Sequence, residues 1–249
     1  MRINDKYITT PKSTKTKKDD PKTEFISVII FAENHGYRMK SQGPVPLLKL
    51  KDKTLLEKQI DAIKSAFLNF EIILCSGFET EKTVSYIKQK FSNINIRVVE
   101  NQVHFNSNCC ESARLCLNNT NNNRILFFGG SVLPHWSHLQ QIDFTKNSII
   151  VQDQDESFEI TAIHNDDSLE TLTIGLKKSY WAETCYLADN ESISDFYSII
   201  SNPEFKNRFM FEAINKLAAK KKIHVLKNTD IPIHKINNIK TYHKLRNTL

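Results

Sequence analysis

The first long apolar run is FISVIIFA, Phe25 to Ala32. It is short and bounded by polar residues, which predicts a strand buried on both faces of a sheet. From Leu56 the apolar positions Ile60, Ile63 and Phe67 recur at helical spacing, and EIILC (Glu71 to Cys75) then predicts a second strand. Val84, Ile87 and Phe91 mark another helix, IRVV (Ile96 to Val99) a third strand. A helix starting near Asn108 carries Leu115 and Leu117, and ILFF (Ile125 to Phe128) follows as a fourth strand. Four strands separated by helices predict an α/β sheet joined by right-handed crossovers.

The second half changes pattern. SIIVQ (Ser148 to Gln152), FEITAI (Phe158 to Ile163) and LTIGL (Leu172 to Leu176) are short strand candidates separated by acidic turns rather than helices, which predicts an antiparallel or mixed extension of the sheet. Helices near Ile193 to Ile200 and Phe209 to Leu217 precede a strand at Ile223 to Leu226. Tyr180, Trp181 and Tyr186 form an aromatic group suited either to stacking on a base or to lining the junction with a second lobe. Residues 1 to 24 are polar and interrupted by Pro11 and Pro21, so they read as an extended or disordered arm.

Composition narrows the class. The chain has 249 residues, 40% hydrophobic and 25% charged, enough for one sizeable core with room for a small attached lobe. Five cysteines (Cys75, Cys109, Cys110, Cys116, Cys185) form no CxxC pair, which argues against a disulfide framework or zinc knuckle and for a reducing compartment. No stretch is long enough for a membrane span and the first residues lack a signal-peptide run, so the expectation is a cytoplasmic protein. Seven basic and four acidic residues give the arm +3 of the net +6. That charge suits docking to a protein partner; it is too small and diffuse to read as a nucleic-acid interface.

In an open α/β sheet the crevice beyond the carboxyl ends of the strands is the expected ligand site. The loop Glu33-Asn34-His35-Gly36-Tyr37-Arg38 belongs there, with Gly36 permitting close approach of a ligand and Arg38 offering a forked donor to phosphate. The order of motifs resembles the nucleotidyltransferase superfamily of GT-A-like fold, the sugar-phosphate and phosphocholine nucleotidyltransferases. FAENHGYRM (Phe31 to Met39) stands for the family's LAAGxGxRM loop, PVPLL (Pro44 to Leu48) for PKxLL, and LLEKQI (Leu55 to Ile60) for the following helix. SGFETEKTVSYI, VVENQVHFNSNCCES, ILFFGGSVLP and FMFEAINKL continue the likeness in order, over about residues 25 to 240. The resemblance implies a GT-A-like (Rossmann-like) mixed, mostly parallel central sheet flanked by helices, with a small second lobe. It makes residues 25 to 249 one domain, with 148 to 240 on the acceptor side.

The chemistry it implies is attack of a phosphate oxygen on the α-phosphorus of a nucleoside triphosphate, with Mg²⁺ held by aspartates. Several of the corresponding positions are altered. Asn34 matches the first loop glycine and Glu33 a small residue, placing a carboxylate beside the phosphate cradle. Val45 matches the lysine of PKxLL, Ser131 the aspartate after the fourth strand, and Asn237 in IPIHKINNIKTY the last acidic position. Arg38, Lys40 and Lys49 are candidate substitute cations, and Asp153, Asp155 and Asp230 candidate substitute metal ligands. A solvated acidic turn is the plainer reading of Asp153 and Asp155. Asn34, Gly36, Arg38, Asn101, Asn108 and Ser112 are the candidate nucleotide contacts. Asn101, Asn108 and Ser112 serve equally as caps of the helix near Cys109, and Glu212 either holds its helix or touches an acceptor.

Two other arrangements are weaker. Cys109 and Cys110 at a helix start are candidates for lowered thiol pKa, and His135 with His138 for metal ligands, although Trp136 and Leu139 mark that segment for packing. The sequence therefore points to a nucleotidyltransferase-like protein with impaired catalysis, kept for binding, regulation or structure. The alternative is a divergent enzyme that uses Mg²⁺ and transfers a nucleotidyl group to a sugar 1-phosphate, phosphocholine or similar small phosphate.

Overall fold

In the computed structural model, which describes residues 24–34, 39–153, 158–176, 178–228 and 230–248, the first apolar run forms β1 (Phe25–Ala32). The arm before residue 24 lies outside the described residues. A short hairpin of β2 (Lys49–Leu50) and β3 (Lys53–Thr54) leads into α1 (Leu55–Ala66). That helix starts where it does because Thr54 and Glu57 form a reciprocal cap: the Glu57 N–H donates to Thr54 Oγ1 at 3.2 Å and the Thr54 N–H to Glu57 Oε2 at 2.6 Å. Next come β4 (Asn69–Ser76), α2 (Thr80–Lys90), β5 (Ile96–Glu100), α3 (Cys109–Leu117) and β6 (Ile125–Gly129).

These strands lie in the order β5-β4-β1-β6, all parallel. Side chains alternate across β1 as a pleated strand requires. Ile26, Val28 and Ile30 pack with Leu56, Ile60 and Ile63 of α1, while Ile29 joins Ile73, Phe127 and the α3 residues Cys110 and Ala113 on the opposite face.

The chain continues through β7 (Val132–Leu133), α4 (Trp136–Leu139), β8 (Ser148–Gln152), β9 (Ile160–Asn165), β10 (Ser168–Ile174) and β11 (Tyr180–Leu187). It finishes with α5 (Asn190–Ile200), α6 (Met210–Ala218), β12 (His224–Asn228), β13 (His234–Lys235) and α7 (Ile239–Leu245). Beyond β6 the same sheet runs on as β11-β8-β12-β10-β9, with β11 antiparallel to both its neighbours and β8 parallel to β12. The nine-stranded sheet is mixed, as expected, and it curls enough for Thr161 of β9 to pair with Tyr180 of β11.

The strand β11 is the element the pattern of residues did not disclose. Trp181 faces Val151 and Cys185 faces Ile149, so Ala182, Glu183 and Thr184 stand opposite Ile150 alone, with Glu183 at φ 52°. This bulge breaks the strand's alternation and turns Glu183 out of the ladder. Thr184 repairs the ladder, its Oγ1 accepting from the Ile150 N–H at 3.1 Å and its carbonyl from Trp181 Nε1–H at 2.7 Å. The aromatic trio thus belongs to the sheet itself.

A third apolar cluster joins Met39, Val45, Leu48, Leu50 and Leu55 to Ile236, Tyr242 and Leu245, so α7 packs against the segment leading into α1. Among the described residues no helix is long and apolar enough to cross a membrane.

Candidate functional site

The chain lays down β1, β4 and β5 outward in one direction, then returns to place β6 on the other side of β1. The connections leaving β1 and β6 therefore part, and a crevice opens at that switch point. It holds a cavity of about 330 Å³. Its walls come from Ala32–Asn34 after β1, Gly129–Ser131 after β6, the start of α3, the bulge of β11, the residues opening α6, and 235–237.

Close packing fixes the floor. The Gly130 N–H donates to the Phe31 carbonyl at 2.9 Å, and a Cβ on Gly130 would overlap that same oxygen. A Cβ on Gly129 would collide with the Glu183 carboxyl group. Gln59, fully buried on α1, ties the following turn by donating its amide N–H groups to the carbonyls of Val132 at 2.7 Å and Gly130 at 3.2 Å. Ser131 is held next to the carboxyl-terminal segment, since Lys235 pairs with Val132 and the Ile236 N–H donates to the Ser131 carbonyl at 2.8 Å.

Val45, Ser131 and Asn237, read from three separate motifs, all line this one cavity. Asn34 and Asn108 line it too; Asn108 also caps α3, its Oδ1 accepting from the Cys109 N–H at 2.8 Å. Asn101 and Ser112 lie buried behind the wall, 3.0 Å apart, where Asn101 also accepts from the Val103 N–H and orders its own loop. Lys40 and Lys49 are exposed and do not line the cavity. Gly36 and Arg38 lie outside the described residues, as does Asp155. Asp153 is exposed and accepts from the Ser179 N–H at 3.0 Å; Asp230 is exposed, and neither reaches the cavity wall.

At the two motif positions the donors do not fit a magnesium ion. A serine hydroxyl and an asparagine amide stand where carboxylates are expected, and among the described residues no group of three or more His, Cys, Asp or Glu is placed to hold a metal. The charged lining comes from residues that the motifs did not single out as cations or metal ligands. Lys235 Nζ pairs with Glu183 Oε1 at 2.6 Å and lies 5.7 Å from the centre of the Phe158 ring. Lys235 follows from its place two residues before Asn237, whereas Glu183 is brought in by a bulge that no local pattern announces.

Glu33 is 3% exposed. Its Oε1 accepts from Ser112 Oγ–H at 2.9 Å, while Oε2 is buried without a hydrogen-bond partner among the described residues. Burial raises its pKa above the ordinary carboxylate value, opposed by its backbone and Ser112 hydrogen bonds and aided by the negative Glu183 nearby.

The thiols behave oppositely to the sequence expectation. Burial drives Cys109 well above its usual range and Cys110 to about 12, outweighing any pull from the helix terminus, so neither is a ready thiolate. His135 and His138 cap the short helix α4 instead of pointing both rings at a common centre: His138 Nδ1 accepts from the His135 N–H, and His135 Nδ1 meets Ser137. Glu212 closes the start of α6, accepting from the Phe209 N–H at 2.9 Å and pairing with Arg208.

No protein-family model and no curated protein sequence matches the chain. Solved structures do. The CTP:phosphocholine cytidylyltransferase from Streptococcus pneumoniae superposes with a TM-score of 0.71 at 16% identity, over 89% of this chain and 97% of that one. The inositol-1-phosphate CTP transferase from T. maritima gives 0.67 at 14% identity, over 88% and 94%. UDP-glucose pyrophosphorylase complexed with UDP-glucose gives 0.70 at 11%, over 90% and 97%. Likeness at this identity, along nearly the whole length of each, is a likeness of fold: this chain has the fold of the sugar-phosphate and phosphocholine nucleotidyltransferases.

Proposed function

We propose that this protein is a nucleotidyltransferase-fold binding protein in which metal-dependent nucleotidyl transfer is impaired. The observation that carries the reading is the meeting of Val45, Ser131 and Asn237 in one cavity. Transfer at an α-phosphorus needs cations against the charge that develops on the phosphoryl oxygens. A valine, a hydroxyl and an amide supply none. The cavity's described cation, Lys235, is already neutralised by Glu183. The walls remain well built, since Gln59, Gly130 and Thr184 all spend hydrogen bonds on fixing them.

Calorimetric titration of the full chain with each nucleoside triphosphate, with and without Mg²⁺, tests this. The reading expects magnesium to add nothing to affinity. A triphosphate that binds tightly only with Mg²⁺ would restore a working metal site and defeat it.

Lys235 favours a second reading, a divergent enzyme moving a nucleotidyl group from a triphosphate to a sugar 1-phosphate, phosphocholine or similar small phosphate. There Lys235 would leave Glu183 and supply the cation missing at Val45. Pyrophosphate release that disappears in Lys235→Met would support it. The basic arm remains a candidate surface for a protein partner, and deleting residues 1–24 should then weaken that association and its salt dependence.

A further inference from the structure

The charges of the cavity decide what it can hold, on the reading that the site binds rather than transfers. Glu33, Glu159, Glu183 and Lys235 are the described Asp, Glu, Lys or Arg residues that line it, and none is left to face a charged guest. Glu33 turns its carboxylate to Ser112 behind the wall, and Glu159 is exposed to solvent at the rim. Lys235 and Glu183 hold each other at 2.6 Å, with side chains 14% and 25% exposed. An ion drawn into this space would give up its water without gaining a free counter-charge among the described residues, which is costly.

Much of the remaining wall is hydrocarbon. Phe31 stacks on Phe127 at 5.9 Å and Phe209 on Phe211 at 6.0 Å. Trp181 has already given its Nε1–H to the Thr184 carbonyl, so its ring has no polar group left for a guest. Two apolar side chains of the wall are also open to solvent: Ile174 is 66% and Phe209 55% exposed, which places them at the mouth. A guest seated there would take their surface out of water, the chief favourable contribution the site has to offer. The polar side chains of Asn108 and Ser131 in the wall are neutral and suit a hydroxyl or carbonyl group.

We propose that the cavity takes a small uncharged molecule with an apolar body and a neutral hydrogen-bonding group, the body lying against these rings and covering Ile174 and Phe209. A phosphate or carboxylate would have to break the Lys235–Glu183 pair to find a cation there, and an ammonium would have to break it to find an anion.

Trp181 lines the cavity, and the other of the two tryptophans, Trp136, is 40% exposed and outside it. In the full chain carrying Trp136→Phe, tryptophan fluorescence therefore reports on this cavity. Three probes share one skeleton: 3-phenylpropan-1-ol, anionic 3-phenylpropanoate and cationic 3-phenylpropylammonium. Glucose is the uncharged probe without an apolar body. The alcohol should bind best, both ions should be weaker by about tenfold or more, and glucose should give no response. Phe209→Ser and Ile174→Ser, at exposed positions where Tm should not move, should each weaken the alcohol by about threefold or more. Glu183→Gln, which frees Lys235, should improve 3-phenylpropanoate relative to the alcohol by about tenfold. No response to the alcohol at millimolar concentration, either ion binding as tightly as the alcohol, glucose matching it, or alcohol affinity untouched in both rim variants would each overturn the proposal. A triphosphate that binds tightly only with Mg²⁺ would defeat the proposed function instead, and that result is read without any of these probes.

Discussion

Glu33→Gln should make the protein more stable above the range in which the wild-type carboxyl group ionises. The wild-type carboxylate is 3% exposed, accepts from Ser112 at Oε1 and leaves Oε2 without a side-chain partner among the described residues. A glutamine has nearly the same shape, and its amide oxygen can still accept from Ser112, but it buries no charge. Relief of one poorly compensated buried charged group is worth about 1–3 kcal/mol. The unsatisfied amide N–H₂ takes back part of that, so a net gain of roughly 1–2 kcal/mol is expected at pH 8. For a body of this size that is about 2–8 °C in Tm.

The gain must depend on pH. The folded-state pKa of Glu33 is raised above its unfolded value, so the wild type binds this proton more tightly when folded. Its stability relative to the variant therefore falls as pH rises from the unfolded carboxylate value through the folded one, and the variant's advantage is absent in acid and full above that window. Thermal melts of both proteins from acid to pH 8 measure it. A variant less stable at pH 8, or one whose advantage is flat across pH, would refute the reasoning that Glu33 is a strained buried carboxylate.

Other expectations follow from the same geometry. Gln59→Leu removes the donors to the Val132 and Gly130 carbonyls but also removes a buried amide oxygen that has no partner among the described residues, so a loss of about 1–2 kcal/mol is expected by chemical denaturation. Thr54→Ala abolishes the reciprocal cap of α1 and should cost about 0.5–2 kcal/mol, with an unchanged result arguing that α1 is held by packing alone. Gly130→Ala forces a methyl group onto the Phe31 carbonyl at the cavity floor. It should destabilise by about 1–3 kcal/mol, and a neutral melt would show that the floor has slack.

The parallel half of the sheet was legible because each strand there is an apolar run and each helix repeats its apolar positions at the right spacing; FISVIIFA and β1 share the same ends. The strand β11 was not, since Glu183 adopts φ 52° and interrupts the alternation that would mark YWAETCYL as a strand. For the site, aligned motifs drew attention to Val45, Ser131 and Asn237, and the fold brings all three to one cavity. What a motif cannot convey is pairing across long separations. Ser112 holds Glu33 from 79 residues away, and Lys235 is one basic residue among 34 until β13 lays it beside Val132 and within reach of Glu183. The cysteine expectation failed for a related reason: a helix start lowers a thiol's pKa only where solvent or a partner can accommodate the charge, and Cys110 is fully buried while Cys109, half-buried, lies near the Glu33 and Glu183 carboxylates.

The claim that transfer chemistry is impaired at Val45, Ser131 and Asn237 is tested most directly by pyrophosphate release. The purified full chain would be incubated with each nucleoside triphosphate, Mg²⁺ and a panel of sugar 1-phosphates and phosphocholine. The account predicts release no faster than in the absence of protein. Magnesium-dependent release at roughly 1 s⁻¹ or above, the ordinary range of enzymes, would contradict it.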